Sequence, residues 1–198
     1  ASHNLIVSID ADNYLPTRYW FRQMIQPFLK DSTVVHAGTM YYGYRKQDTL
    51  LNRYVGLFGN LDPVVFYVGR PDRLARFQKT WTLGNIVKET KDYIFVDFDA
   101  ETLPTVGCNG VVYRRDLLME HARSKPEDFL HIDVFMDLVV KGYRRFAVVK
   151  NDLIHDTAVS LPQLLHKRIA FLEEYYFKTG SSGPRRRYLI YNPAKRSD

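Results

Sequence analysis

A single cysteine, Cys108, stands in a chain of 198 residues. An internal disulfide framework is thereby excluded, and one thiol suits a reducing, cytoplasmic setting. No run approaches the roughly 18 to 20 apolar residues needed to cross a bilayer. The first residues also lack a signal peptide's basic-then-apolar plan. The chain as given is expected to be soluble. No internal repeat is visible. Disorder is excluded as well, because hydrophobic residues make up 45% of the chain and charged residues only 25%.

What is present is aromatic and basic. There are 14 Tyr and 12 Phe, and the net charge is +6 with a pI near 9.3. The length favours one domain. Basic residues crowd the end, where Arg185, Arg186, Arg187, Lys195 and Arg196 follow Gly180-Ser181-Ser182-Gly183-Pro184, which reads as a flexible joint. We therefore divide the chain into a folded region, 1–179, and a basic C-terminal tail, 180–198. Such a tail suits anionic lipid headgroups, nucleic acid or a phosphorylated substrate, and equally a solvated basic end. Tyr188, Leu189, Ile190 and Tyr191 make it less polar than a disordered arm, so part of it is expected to pack.

Strand and helix signals alternate. Leu5, Ile6, Val7 and Ile9 read as a buried strand. A helix is expected over Leu15–Leu29, then strands at Thr33–Ala37 and Met40–Tyr44. Helices follow at Asp48–Phe58 and Asp72–Thr80. Tyr93–Asp97 and Val106–Tyr113 read as strands and Arg114–Arg123 as a helix. Asp133–Val140 is helical up to Gly142, Phe146–Lys150 is a strand, and Leu161–Phe177 is a long amphipathic helix. That order indicates an α/β fold with a mixed sheet flanked by helices.

The first strand ends in Asp10-Ala11-Asp12. Two carboxylates one residue apart share a strand face, and at the strand's mouth they could converge on one hard cation. Asn13 and Pro16 alternatively mark a helix start. Further on, Gly107-Cys108-Asn109-Gly110 permits close approach of backbone to a ligand. Arg114 and Arg115 follow, in the residue type suited to phosphate oxygens. His131-Ile132-Asp133 stands at a helix start, where an aspartate is either functional or a cap. Leu153-Ile154-His155 places an imidazole at a strand end. Asp97-Phe98-Asp99 is a second Asp-x-Asp at a strand end, ranked lower. Gly69-Arg70-Pro71-Asp72-Arg73 is a further phosphate-binding candidate, or a solvated helix start.

Taken in order, Asp-Ala-Asp after an apolar strand, Gly-Cys-Asn-Gly-Val-Val-Tyr-Arg-Arg, His-Ile-Asp, Lys-Gly-Tyr-Arg, the strand-end His155 and a Lys-Arg-bearing helix resemble glycosyltransferase family 2, from Asn4 to about Phe177. The resemblance implies a GT-A fold and transfer of a sugar from a nucleotide-sugar donor to an acceptor hydroxyl or phosphate, with inversion. Asp10 and Asp12 would hold Mn or Mg against the donor diphosphate with His155 near, Arg114 or Arg115 would assist, and Asp133 would be the catalytic base. The family's Gln-x-x-Arg-Trp pattern is absent at His166-Lys167-Arg168, which argues against a processive polysaccharide synthase. In the family the Asp-x-Asp lies well into the domain, whereas here it begins at residue 10. The chain thus resembles the C-terminal part of a GT-A domain, with the nucleotide-base-binding part absent, cleaved off or carried on a partner chain.

The chemistry suits these residues. A diphosphate leaving group develops negative charge that a cation and arginines stabilise, and a carboxylate can take the acceptor's proton. The expected acceptor is a carbohydrate or a lipid phosphate, with Lys167, Arg168 and the basic tail near a membrane surface, to which the chain would be peripheral. Nucleic acid is not expected as a partner. Two other classes stay open: a metal-dependent phosphoryl transferase using Asp10, Asp12 and Asp133, and a non-catalytic binding fragment of a glycosyltransferase.

Overall fold

The computed structural model describes residues 3–59, 65, 69–121, 130–158, 160–177 and 188. In chain order the elements are β1 (Leu5–Ser8), β2 (Asn13–Tyr14), α1 (Trp20–Lys30), β3 (His36–Gly43), α2 (Leu50–Phe58), β4 (Asn85–Glu89) and β5 (Tyr93–Asp97). They continue with β6 (Val111–Arg114), α3 (Arg115–His121), α4 (His131–Val140), β7 (Arg145–His155) and α5 (Leu161–Leu172), which a π-helical turn extends over Glu173–Phe177. The strands form one seven-stranded mixed sheet in the order β1-β6-β3-β7-β5-β4, with β2 paired to the end of β7. Only β3 and β7 are parallel; the other pairings are antiparallel. The chain is an α/β protein, as its alternating signals indicate.

Period-two alternation in the central strands builds a core on each face. Along β7, Ala147 and Val149 turn to one side, where they meet Ala37, Val112, Trp20 and Met24; Phe146 and Val148 turn to the other, with Val96, Val111, Phe135 and Met136. Helix α1 thus covers one face and α4 the other. Trp20 is fully buried, and its indole N–H donates to the Asp152 carbonyl at 3.0 Å, so its single polar atom is satisfied. Truncating such a residue costs on the order of 3–5 kcal/mol.

Several elements differ from expectation for identifiable reasons. The first strand is half-buried rather than buried, because β1 is an edge strand paired only with β6. α1 starts at Trp20 instead of Leu15, since Asn13 and Tyr14 are taken by the ladder opposite His155 and Ile154. The two strands expected at 33–44 are one, β3, with a register shift between Thr39 and Tyr41. α2 begins after Thr49, whose hydroxyl accepts the Asn52 N–H at 3.2 Å.

Residues 72–80 are not helical. Backbone bonds from Leu74 N to Met40 O (2.9 Å) and from Arg76 N to Leu57 O (2.8 Å) tie this segment to its neighbours instead. β6 begins only at Val111, because Gly110 takes a φ of +60° and breaks the extended run. α4 begins two residues earlier than expected, β7 runs five residues further, to His155, and β4, exposed at every position, carries no alternation to announce it. Residues 122–123, Gly180–Pro184, Arg185–Arg187, Lys195 and Arg196 lie outside the described residues. Of the tail, Tyr188 is described: it is fully buried, and its backbone N–H donates to Asp133 Oδ1 at 3.0 Å.

Candidate functional site

The carboxyl ends of β1, β3 and β7 open on one cleft, the usual place for a ligand in an α/β sheet. It encloses about 310 Å³ and is lined by Asp10 and Asp12 after β1, Tyr42 of β3, the 105–109 loop, Leu130 to Ile132 at the start of α4, and His155 and Thr157 at the end of β7. Val55 of α2, Val65, Asp72, and Leu164, Lys167, Arg168 and Phe171 of α5 also line it.

Asp10 and Asp12 are held by a turn that closes on itself. The Asn13 N–H donates to the Asp10 carbonyl at 3.0 Å, and the Asp10 N–H returns to Asn13 Oδ1 at 3.3 Å. The Asn13 amide donates to Asp12 Oδ1 at 3.2 Å and to Asn109 Oδ1 at 3.0 Å. Asn13 therefore organises the two aspartates rather than capping a helix. β2 then brings His155 to them: Asn13 and His155 are register partners, the Asp156 N–H donates to the Asp12 carbonyl at 2.9 Å, and His155 Nε2 lies 3.4 Å from Asp12 Oδ2. On the other side, the Cys108 thiol donates to Asp10 Oδ2 at 3.1 Å. Burial, reinforced by Asp10, pushes that thiol up to about 12, so it stays protonated and can act as a donor.

The loop over the cleft is locked from below by Arg73, which is buried. Its guanidinium pairs with Asp72, donates to Thr39 Oγ1 at 3.1 Å and bonds the Asn109 carbonyl. It also stacks over the Tyr42 ring at 4.3 Å. Gly110 is required at the loop's end: a Cβ there would meet Leu153 Cδ2 at 2.7 Å. Of the Gly69–Arg73 segment, weighed above as a phosphate binder, Arg73 serves as an internal clamp; its burial is what the sequence concealed. Lys167 reaches across from α5 to the Thr157 carbonyl at 2.7 Å.

Not every expected residue reaches the cleft. Asp133 is 1% exposed and accepts the Tyr188 N–H, so its carboxylate anchors the tail and is not presented as a base. Arg114 lies at the far end of β6, where it pairs with Asp116 and donates to the Ser32 carbonyl at 2.8 Å. Arg115 follows it, with its N–H on the Asn4 carbonyl at 2.9 Å. Both arginines are outside the cleft lining, which has Lys167 and Arg168 instead. Asp97 pairs with Arg145 at the opposite end of β7, roughly 30 Å along the strand from His155, and Asp99 caps the turn at Glu101 and Thr102.

The cleft does present His131. Burial holds its pKa below the usual histidine value against the opposing charge of Asp10, and burial likewise lowers that of His155 against Asp12. Both lowered values leave the imidazoles neutral near pH 7, the form in which a histidine accepts a proton or ligates a metal. Two carboxylates and one neutral imidazole form a donor set that fits a hard divalent cation such as Mn or Mg. Among the described residues, no three His, Cys, Asp or Glu side chains are already drawn together as a ligand group. No helix among them is long and apolar enough to cross a membrane. Comparison with protein-family models, curated proteins and solved structures finds no match to this chain.

Proposed function

We propose that the cleft belongs to a metal-dependent glycosyltransferase of GT-A type, which moves a sugar from a nucleotide-sugar to an acceptor hydroxyl or phosphate with inversion. The reading rests on one observation: Asp12 and His155 meet at 3.4 Å beside Asp10, on the wall of a cleft that also carries Lys167, Arg168 and His131. Asp10, Asp12 and His155 would hold Mn or Mg, which when bound neutralises charge on the diphosphate leaving group.

The remaining roles fall to the chain's own residues. Asn13 and Cys108 orient the two aspartates. Lys167 and Arg168 supply positive charge for phosphate oxygens. His131, neutral and inside the cleft, replaces Asp133 as the group that takes the acceptor's proton. The test is release of nucleoside diphosphate, together with a glycosylated product, from a panel of nucleotide-sugars and carbohydrate or lipid-phosphate acceptors, with and without Mn. Mn-dependent release with sugar transfer supports the reading; release from a nucleic acid or a phosphoester alone contradicts it.

A further inference from the structure

A surface helix ordinarily turns its polar side to water, but α2 does the reverse. Leu50, Tyr54, Leu57 and Phe58 are exposed, Leu50 at 77%, and Arg53 is the helix's single charged residue. Phe77 extends this face at 70% exposure. Its ring lies 5.7 Å from Phe58, which lies 4.4 Å from Tyr54, so the aromatics form one contiguous patch.

The segments that carry the patch are predominantly basic, and the carboxylates that touch them, Asp156 and Asp152, are paired with Arg45 and Arg76. The only carboxylates in segments 44–58 and 69–80 are Asp48 and Asp72. Both are nearly buried and ion-paired, with Arg45 and Arg73. Lys46 and Lys79, in the same two segments, are exposed. Exposed aliphatic and aromatic side chains in segments that also expose lysines match an anionic bilayer, where rings and alkyl groups enter the headgroup boundary and lysines meet lipid phosphates. A second apolar stripe, Leu161, Leu165 and Ile169, is exposed on α5. Helices α2 and α5 both border the cleft, through Val55 and Leu164.

We propose that the outer face of α2, with Phe77, is a peripheral docking surface for an anionic lipid bilayer, which sets the cleft beside the headgroup layer. The inference does not depend on the transfer reaction. Flotation with phosphatidylcholine vesicles, with and without about 30% phosphatidylserine, tests it at low and high salt. The expected result is binding to the anionic vesicles that weakens with salt and falls about tenfold or more in a Leu50→Ser, Phe77→Ser double variant. Because both side chains are exposed, the double variant should keep the wild-type melting temperature. No binding at low salt, unchanged binding by the double variant, or loss on changing only Arg185, Arg186 and Arg187 to Ala would each overturn the proposal.

Discussion

His155 Nε2 and Asp12 Oδ2 lie 3.4 Å apart, although they come from opposite ends of the chain. The two-residue strand β2 makes this contact, since it pairs Asn13 with His155 and Tyr14 with Ile154. On its other side the aspartate turn is held by Cys108 and Asn109. The metal-binding capacity proposed for this wall therefore depends on β7 continuing to His155.

The assignment of the base yields opposite expectations for two neighbours. His131→Gln should lower transfer about 10²–10⁴-fold, the usual contribution of general-base catalysis. Asp133→Asn retains an oxygen that can accept the Tyr188 N–H, so turnover should stay within about tenfold of wild type. Steady-state kinetics on both variants decide the matter; near-complete loss in Asp133→Asn with a functional His131→Gln would restore Asp133 as the base.

Arg73 should behave as a buried clamp. Arg73→Leu takes the guanidinium away from the Asp72 carboxylate, the Thr39 hydroxyl and the Asn109 carbonyl, at a cost of about 3–5 kcal/mol. Arg73→Lys keeps the charge but lacks the planar fork that serves three acceptors, so an intermediate loss is expected. Denaturant melts measure both, and a loss under about 1 kcal/mol for Arg73→Leu would mean that the clamp contributes little.

His36 gives the fold an acid sensitivity. It is buried, and burial, with the Arg73 and His131 charges adding to it, lowers its pKa from 6.5 to about 3. Between those values the unfolded chain binds the proton and the folded chain does not, so stability falls as pH drops through that window. The slope from this one group approaches about 1.4 kcal/mol per pH unit. Asp31 and Asp99, whose pKa values are lowered, add their own loss only below about pH 4. Unfolding free energies from pH 7 to pH 4 should therefore decline less steeply in His36→Leu than in wild type; equal slopes would contradict this account.

The α/β class and the approach of His155 to the Asp10–Asp12 turn were legible because strand ends announce themselves through apolar runs. Strand β5 was readable to the residue, with Ile94, Phe95 and Val96 buried between its ends. β2 was not, because a two-residue strand has no periodicity and exists only through its partner. Arg73 looked like a solvated helix start; its burial follows from the segment bonding to Met40 and Leu57, which local sequence does not encode. The burial of Asp133 was not legible either, and helical geometry is the reason. Asp133 lies two residues beyond His131, about 200° around the helix, so the two side chains point to opposite sides, and only tertiary packing decides which side is the cleft.

The most direct measurement is histidine NMR during titration with substoichiometric Mn²⁺, whose paramagnetism broadens nearby resonances. The account predicts that the His155 and His131 imidazole signals broaden first and that His121, which is paired with Lys141 away from the cleft, stays sharp. The selective broadening should disappear in an Asp10→Asn, Asp12→Asn double variant. Uniform broadening, or selective broadening that survives in that variant, would contradict a divalent-cation site at Asp10, Asp12 and His155.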